Sequence, residues 1–146
     1  MINLNKLNFL TSGIPLSTKK QGLIEGLKQV KNLNLDGMEL EFVHGIYLKK
    51  EKTPEVNNIV NENNLIITAH SPYYINLNAQ DKQKWHSSIS YIVQSAKITY
   101  LCNGYSVCFH PAFNMKNTKE EVYKKVKETI KIILQELKKD DIKIWI

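Results

Sequence analysis

The chain alternates short apolar runs with longer stretches in which apolar residues return every three or four positions. The short runs fall at 7–12, 38–42, 65–70, 105–110 and 142–146, and their β-branched and aromatic content predicts strands. The stretches between them read as four amphipathic helices. From about Lys19 the first sets Leu23, Ile24, Leu27 and Val30 on one face. The second opens Thr53-Pro54-Glu55, an N-cap followed by proline at the first helical position, and carries only Val56, Ile59 and Val60 as its apolar face. Trp85, Ile89, Ile92, Val93, Ala96 and Tyr100 define the third. The fourth starts with the capping box Thr118-x-x-Glu121, ahead of Val122, Val126, Ile130, Ile133, Leu134 and Leu137.

A connection that holds a helix of about ten residues or more cannot be a hairpin, so the strands run parallel and the fold class is α/β. Side-chain alternation narrows the choice. Ser106, Cys108 and His110 share one face opposite Tyr105, Val107 and Phe109; Ile66, Thr68 and His70 share a face; Glu39 and Glu41 lie opposite Met38, Leu40 and Phe42. A doubly wound sheet meets helices on both faces and would be apolar on both, whereas a barrel interior near its catalytic rim holds polar layers. The expected architecture is a partial TIM (β/α)8 barrel of about five parallel strands and four helices, with residues 1–146 as the single N-terminal portion of such a domain.

Composition changes this picture little. The apolar runs are too short to span a membrane, and Met1-Ile2-Asn3-Leu4-Asn5-Lys6 lacks a signal peptide's apolar core, so a cytoplasmic protein is expected. The net charge of +6 comes entirely from lysine, since there is no arginine, and many lysines sit on polar helix faces. A solvated surface is the ordinary reading of such charge, ahead of a dedicated phosphate track. Cys102 and Cys108 belong to no C-x-x-C pair and read as buried structural thiols.

Candidate chemistry rests on His70 and His110. Each ends an apolar strand and runs straight into a proline-containing loop, His70-Ser71-Pro72 and His110-Pro111. One strand-end histidine is ordinarily a hydrogen-bonded structural residue. Two on successive parallel strands, about 4.8 Å apart, can reach one metal ion, at the strand ends where ligands bind in these folds. Zinc needs a third protein ligand, usually a carboxylate in hydrolases, which Glu39, Glu41 or sequence beyond this chain could supply.

Four segments carry a resemblance: Thr11-Ser12-Gly13-Ile14-Pro15, Gly37-Met38-Glu39-Leu40-Glu41-Phe42-Val43, Thr68-Ala69-His70-Ser71-Pro72-Tyr73-Tyr74-Ile75-Asn76-Leu77 and Ser106-Val107-Cys108-Phe109-His110-Pro111. Together they resemble the endonuclease IV family of apurinic/apyrimidinic endonucleases, particularly its archaeal-type members. The last two motifs are the specific ones. The resemblance implies a TIM barrel whose three zinc ions hydrolyse DNA 5′ to abasic sites. It makes His70 and His110 ligands of one zinc, places Tyr73 beside the lesion in abasic DNA, and has Asn76 support that loop. It also implies ligands this chain does not carry, beginning with a bridging glutamate after the fifth strand. His44 falls where relatives tend to carry arginine.

By that comparison the chain holds only part of a metal site, no catalytic residue is assigned, and it is expected to be inactive alone. Five strands of an eight-stranded barrel leave unpaired edges, so a missing C-terminal half barrel or self-association is expected. Two other readings stay open: a xylose isomerase-like sugar isomerase or epimerase using Glu39 and Glu41, and a non-catalytic half barrel that binds DNA or serves assembly.

Overall fold

A computed structural model describes residues 5–146, so residues 1–4 of the polar start read above lie outside the described residues. Strands β1 (Leu10–Ser12), β2 (Gly37–Glu41), β3 (Ile66–His70) and β4 (Ser106–Cys108) pair in parallel in that order. Helices α1 (Leu23–Asn32), α2 (Thr53–Glu62), α3 (Lys82–Leu101) and α4 (Lys119–Lys139) follow one strand each. Among the described residues the partial barrel thus has four strands and four helices. Among the described residues, no helix is long and apolar enough to cross a membrane.

The fifth strand expected at 142–146 is reduced to one parallel bridge, Ser106 with Trp145. Val107 N–H donates to the Trp145 carbonyl at 2.8 Å and Trp145 N–H to the Tyr105 carbonyl at 3.3 Å. With one rung and no described neighbour beyond it, the segment does not build a ladder. The first strand also shortens. Leu7 and Phe9 are exposed, and the Phe9 amide donates to the Asp36 carboxylate at 2.9 Å instead of joining the sheet.

Helix ends are set by local chemistry. The Thr118–Glu121 capping box forms as expected, and Asp81 caps α3 by accepting from Lys84 N–H at 2.9 Å. Thr53 is not an N-cap: a 3₁₀ turn at Lys50–Lys52 runs into α2, the Thr53 hydroxyl donates to the Lys50 carbonyl at 2.8 Å, and Pro54 is the second helical residue. Asn34, Asn64, Asn103 and Asp141 adopt left-handed φ of 51–59° just past the four helices, and the next amide bonds back into the last turn each time. Leu35 N–H reaches the Val30 carbonyl, Leu65 that of Val60, Gly104 that of Thr99 and Ile142 that of Leu137, which is a Schellman closure repeated in every unit.

The core lies between sheet and helices. Met38, Leu40, Ile67, Ala69 and Val107 point from the strands onto Leu27, Val30, Val56, Val60, Ile92, Ala96 and Ile133, all at most 3% exposed. Burying each large aliphatic side chain contributes about 2 kcal/mol. That one-sided core leaves the opposite sheet face to polar side chains.

Candidate functional site

Strand register arranges those polar residues in rows. Ser12, Glu39, Thr68 and Ser106 are cross-strand partners in one row, and Glu41, His70 and Cys108 in the next, one step nearer the C-terminal ends. His70 is the last residue of β3. His110, expected at the end of β4, stands two residues past it in the following loop, exposed.

The His70 ring is oriented by the backbone. Its Nδ1 lies 2.7 Å from the Ser71 carbonyl, which can only accept, so Nδ1–H donates to it and, in a neutral ring, the lone pair sits on Nε2. Ser71 N–H donates in turn to the Cys108 carbonyl at 2.9 Å, fixing this turn against β4. The His70 and His110 ring centroids are 5.1 Å apart at 45°, and the Tyr73 ring lies 5.0 Å from the first and 5.6 Å from the second. Zinc bonded to two imidazoles at about 2.1 Å with a tetrahedral angle separates the ring centroids by roughly 5 Å. The observed ring separation matches that spacing.

On the same face, Glu41 stands in the row of His70 and Glu39 one row below it. Glu41 accepts from the Ser12 hydroxyl at 2.5 Å, and Glu39 from the Thr68 hydroxyl at 3.4 Å. Partial burial, and then the neighbouring Glu41, raise the Glu39 carboxyl above its usual range, partly offset by His70 and Thr68. Among the described residues no three His, Cys, Asp or Glu side chains converge to hold one ion, so Glu39 and Glu41 are not brought into a common ligand set with the histidines.

Cys102 is buried as expected, and its thiol is pushed up to about 12 by burial. Cys108 is not: it is exposed, because it shares the open polar face with its register partner His70. Partial desolvation and the charges of Glu39 and Glu41 raise its thiol as well. Alternation already puts Cys108 on the His110 face, and that signal outweighs the apolar run around it.

Asn76 ties loops together. Its Oδ1 accepts from Asn78 N–H at 3.0 Å and Phe113 N–H at 3.2 Å, and Leu77 N–H donates to the Pro111 carbonyl at 2.8 Å. Sequence reasoning missed Asn78, which is 1% exposed. Its Nδ2 donates to the Phe113 carbonyl (2.9 Å), the Asn114 carbonyl (3.3 Å) and Asn117 Oδ1 (3.2 Å), locking the Tyr73 loop to the loop that carries His110. Only the polar spacing Asn76-Leu77-Asn78 hinted at it.

The pattern of the xylose isomerase-like TIM barrel family matches residues 27–146. An uncharacterised protein of Methanocaldococcus jannaschii is 37% identical over 131 residues, 90% of this chain and 46% of that protein. Among solved structures, a D-tagatose 3-epimerase-like protein superposes with a TM-score of 0.72 at 16% identity, over 94% of this chain and 51% of its own. Endonuclease IV from Thermus thermophilus superposes with a TM-score of 0.60 at 16% identity, over 86% of this chain and 46% of its own. At such identities the superpositions establish the fold alone. The chain spans about half the length of the relatives it matches.

Proposed function

The chain belongs to the xylose isomerase-like TIM barrel family, and from that premise we propose that it contributes part of the metal site of an endonuclease IV-like phosphodiesterase acting at abasic sites in DNA. The observation that carries this reading is the His70–His110 pair at 5.1 Å, with His70 Nδ1 committed to a backbone carbonyl and the Tyr73 ring packed against both imidazoles. His70 and His110 are the two zinc ligands of the proposal. When bound, zinc supplies an activated water and neutralises charge developing on phosphorus. Tyr73, half exposed, offers a ring face to the nucleotide at the lesion, and Asn76 holds that loop in place. Among the described residues no third ligand joins the pair, so in this proposal the rest of the ligand set comes from a further half barrel.

A duplex carrying one tetrahydrofuran abasic analogue tests this by fluorescence anisotropy with zinc present. The wild-type chain should prefer it to intact duplex by about tenfold, a difference of roughly 1.4 kcal/mol, and Tyr73→Ala should lose the preference. Equal affinity for the two duplexes refutes the reading.

Glu39 favours a second one. A carboxyl whose pKa is raised by burial and by Glu41 suits proton transfer at a sugar carbon, as in an epimerase. Exchange of solvent deuterium into a ketohexose, without abasic-DNA preference, would select it.

A further inference from the structure

The two outer edges of the sheet are apolar at the same level. Among the described residues β1 pairs only with β2, and β4, beyond β3, meets only the Trp145 rung at Ser106, its first residue. Ahead of β1, Leu7 and Phe9 stand 75% and 60% exposed. Beside β4, Trp145 is 69% exposed and lines an open groove of about 580 Å³ with Ile130, Leu134, Lys143, Ile144 and Ile146. Both features therefore lie at the N-terminal ends of their strands. An open strand edge flanked by large exposed apolar side chains is a surface for pairing with another strand.

We infer that two copies of this chain pair through both edges at once, the β1 edge of each against the β4 edge of the other. A two-fold axis along the axis of the barrel produces this arrangement, because it carries every strand onto a parallel one; a two-fold across the sheet would set β4 against β4 antiparallel. Three observations select a second copy as the occupant. The β4 edge extends its parallel sheet with a strand whose own outer edge is open, which β1 is, and Leu7 and Phe9 precede β1 at the level of the groove. Four strands from each copy give the eight of a closed barrel, and the chain accordingly covers 51% of the epimerase-like structure and 46% of the endonuclease IV structure. Charges at the two edges are balanced locally, Lys6 with Asp36 at 2.6 Å and Lys143 with Asp141 at 3.3 Å, so the net charge of +6 is not concentrated at the seams. Closure also covers the open polar face, since the polar rows of the two copies then share one lumen. The pairing stands on the fold; only the identification of the second copy with the further half barrel of the metal site rests on the function proposed above.

Sedimentation velocity over a concentration series reads the pairing without DNA or zinc. The wild-type chain should form a dimer of twice 16.9 kDa and grow no further. Phe9→Glu and Trp145→Lys each change an exposed side chain and leave the backbone bonds of that residue in place. Both variants should keep the wild-type circular dichroism and thermal midpoint, and each dimer should dissociate at least about tenfold more readily. Mixed in equal amounts, the two should regain dimer, because the mixed pair has one wild-type seam and sets Glu against Lys at the other. A wild-type chain that stays monomeric overturns the pairing, as does a dimer weakened by only one of the substitutions, or no gain on mixing. Growth past the dimer overturns closure, since edges that pair without closing build a filament. A monomer that still prefers abasic duplex overturns the pairing alone; a dimer without that preference overturns the proposed function alone.

Discussion

Gly37 opens β2 opposite Ile66, the first residue of β3. A Cβ built on Gly37 would stand 1.9 Å from the Ile66 carbonyl oxygen and 2.7 Å from its carbon, well inside the roughly 3.5 Å of ordinary contact. These are backbone atoms, so no rotamer change relieves the overlap. Gly37→Ala must separate the two strands where Ile66 N–H donates to the Asp36 carbonyl at 2.8 Å. Overpacking of this kind costs about 1–3 kcal/mol, and losing that bond about 1 more, giving an expected loss of about 3 kcal/mol. That is a large share of the roughly 5–15 kcal/mol available to a domain. In urea, with a slope of about 2 kcal/mol per molar, the midpoint should fall by about 1.5 M. Gly22→Ala supplies the contrast: Gly22 has φ 118° and nothing within 4 Å of a Cβ, so the substitution costs only backbone strain of about 1 kcal/mol. Because the β2–β3 register also sets Glu41 beside His70, the Gly37 variant should disturb the site as well. A Gly37→Ala midpoint within about 0.3 M of wild type, or one above that of Gly22→Ala, would refute the steric reasoning.

Two further outcomes follow from the polar face. Glu39 has a raised carboxyl pKa, so the folded state binds its proton more tightly than the unfolded chain does. Stability from this group is present at low pH and is lost as pH rises from the unfolded value near 4.5 through the folded one. In chelator-treated protein, Glu39→Gln should therefore be more stable than wild type at pH 7 and indistinguishable from it below about pH 4; urea unfolding at both pH values checks the sign. The two thiols should separate kinetically in native protein. Cys108 should react with a disulfide reagent at a rate that climbs with pH, and Cys102 only after denaturation.

Much of the architecture was legible because periodicity is set by burial. The apolar stripe of α3, that of α4 except Leu134, which is 48% exposed, and the in-out alternation of β2, β3 and β4 answer to one core and appear where the pattern puts them. Positions governed by single hydrogen bonds were not legible. Leu7 and Phe9 read as strand residues, but Asp36 captures the Phe9 amide; Thr53 reads as a cap, but a 3₁₀ turn moves the helix start. Trp145 reads as strand, yet it has only one ladder partner. The four Schellman closures at Asn34, Asn64, Asn103 and Asp141 are visible as Asn and Asp before the next strand but are a matter of backbone φ, which composition does not report. Within the site, the histidine pair follows from strand ends and repetition. The Asn78 anchor does not, since its three partners lie 35, 36 and 39 residues away.

The central claim is that His70 and His110 bind one metal ion together. Zinc titration of the chelator-stripped chain, by competition with a chromophoric chelator, measures this most directly, with folding verified by circular dichroism. Saturable zinc binding by the wild-type chain, weakened at least about tenfold in both His70→Ala and His110→Ala, is the predicted result. A folded wild-type chain that binds no zinc, or binding unchanged in both variants, would contradict the account.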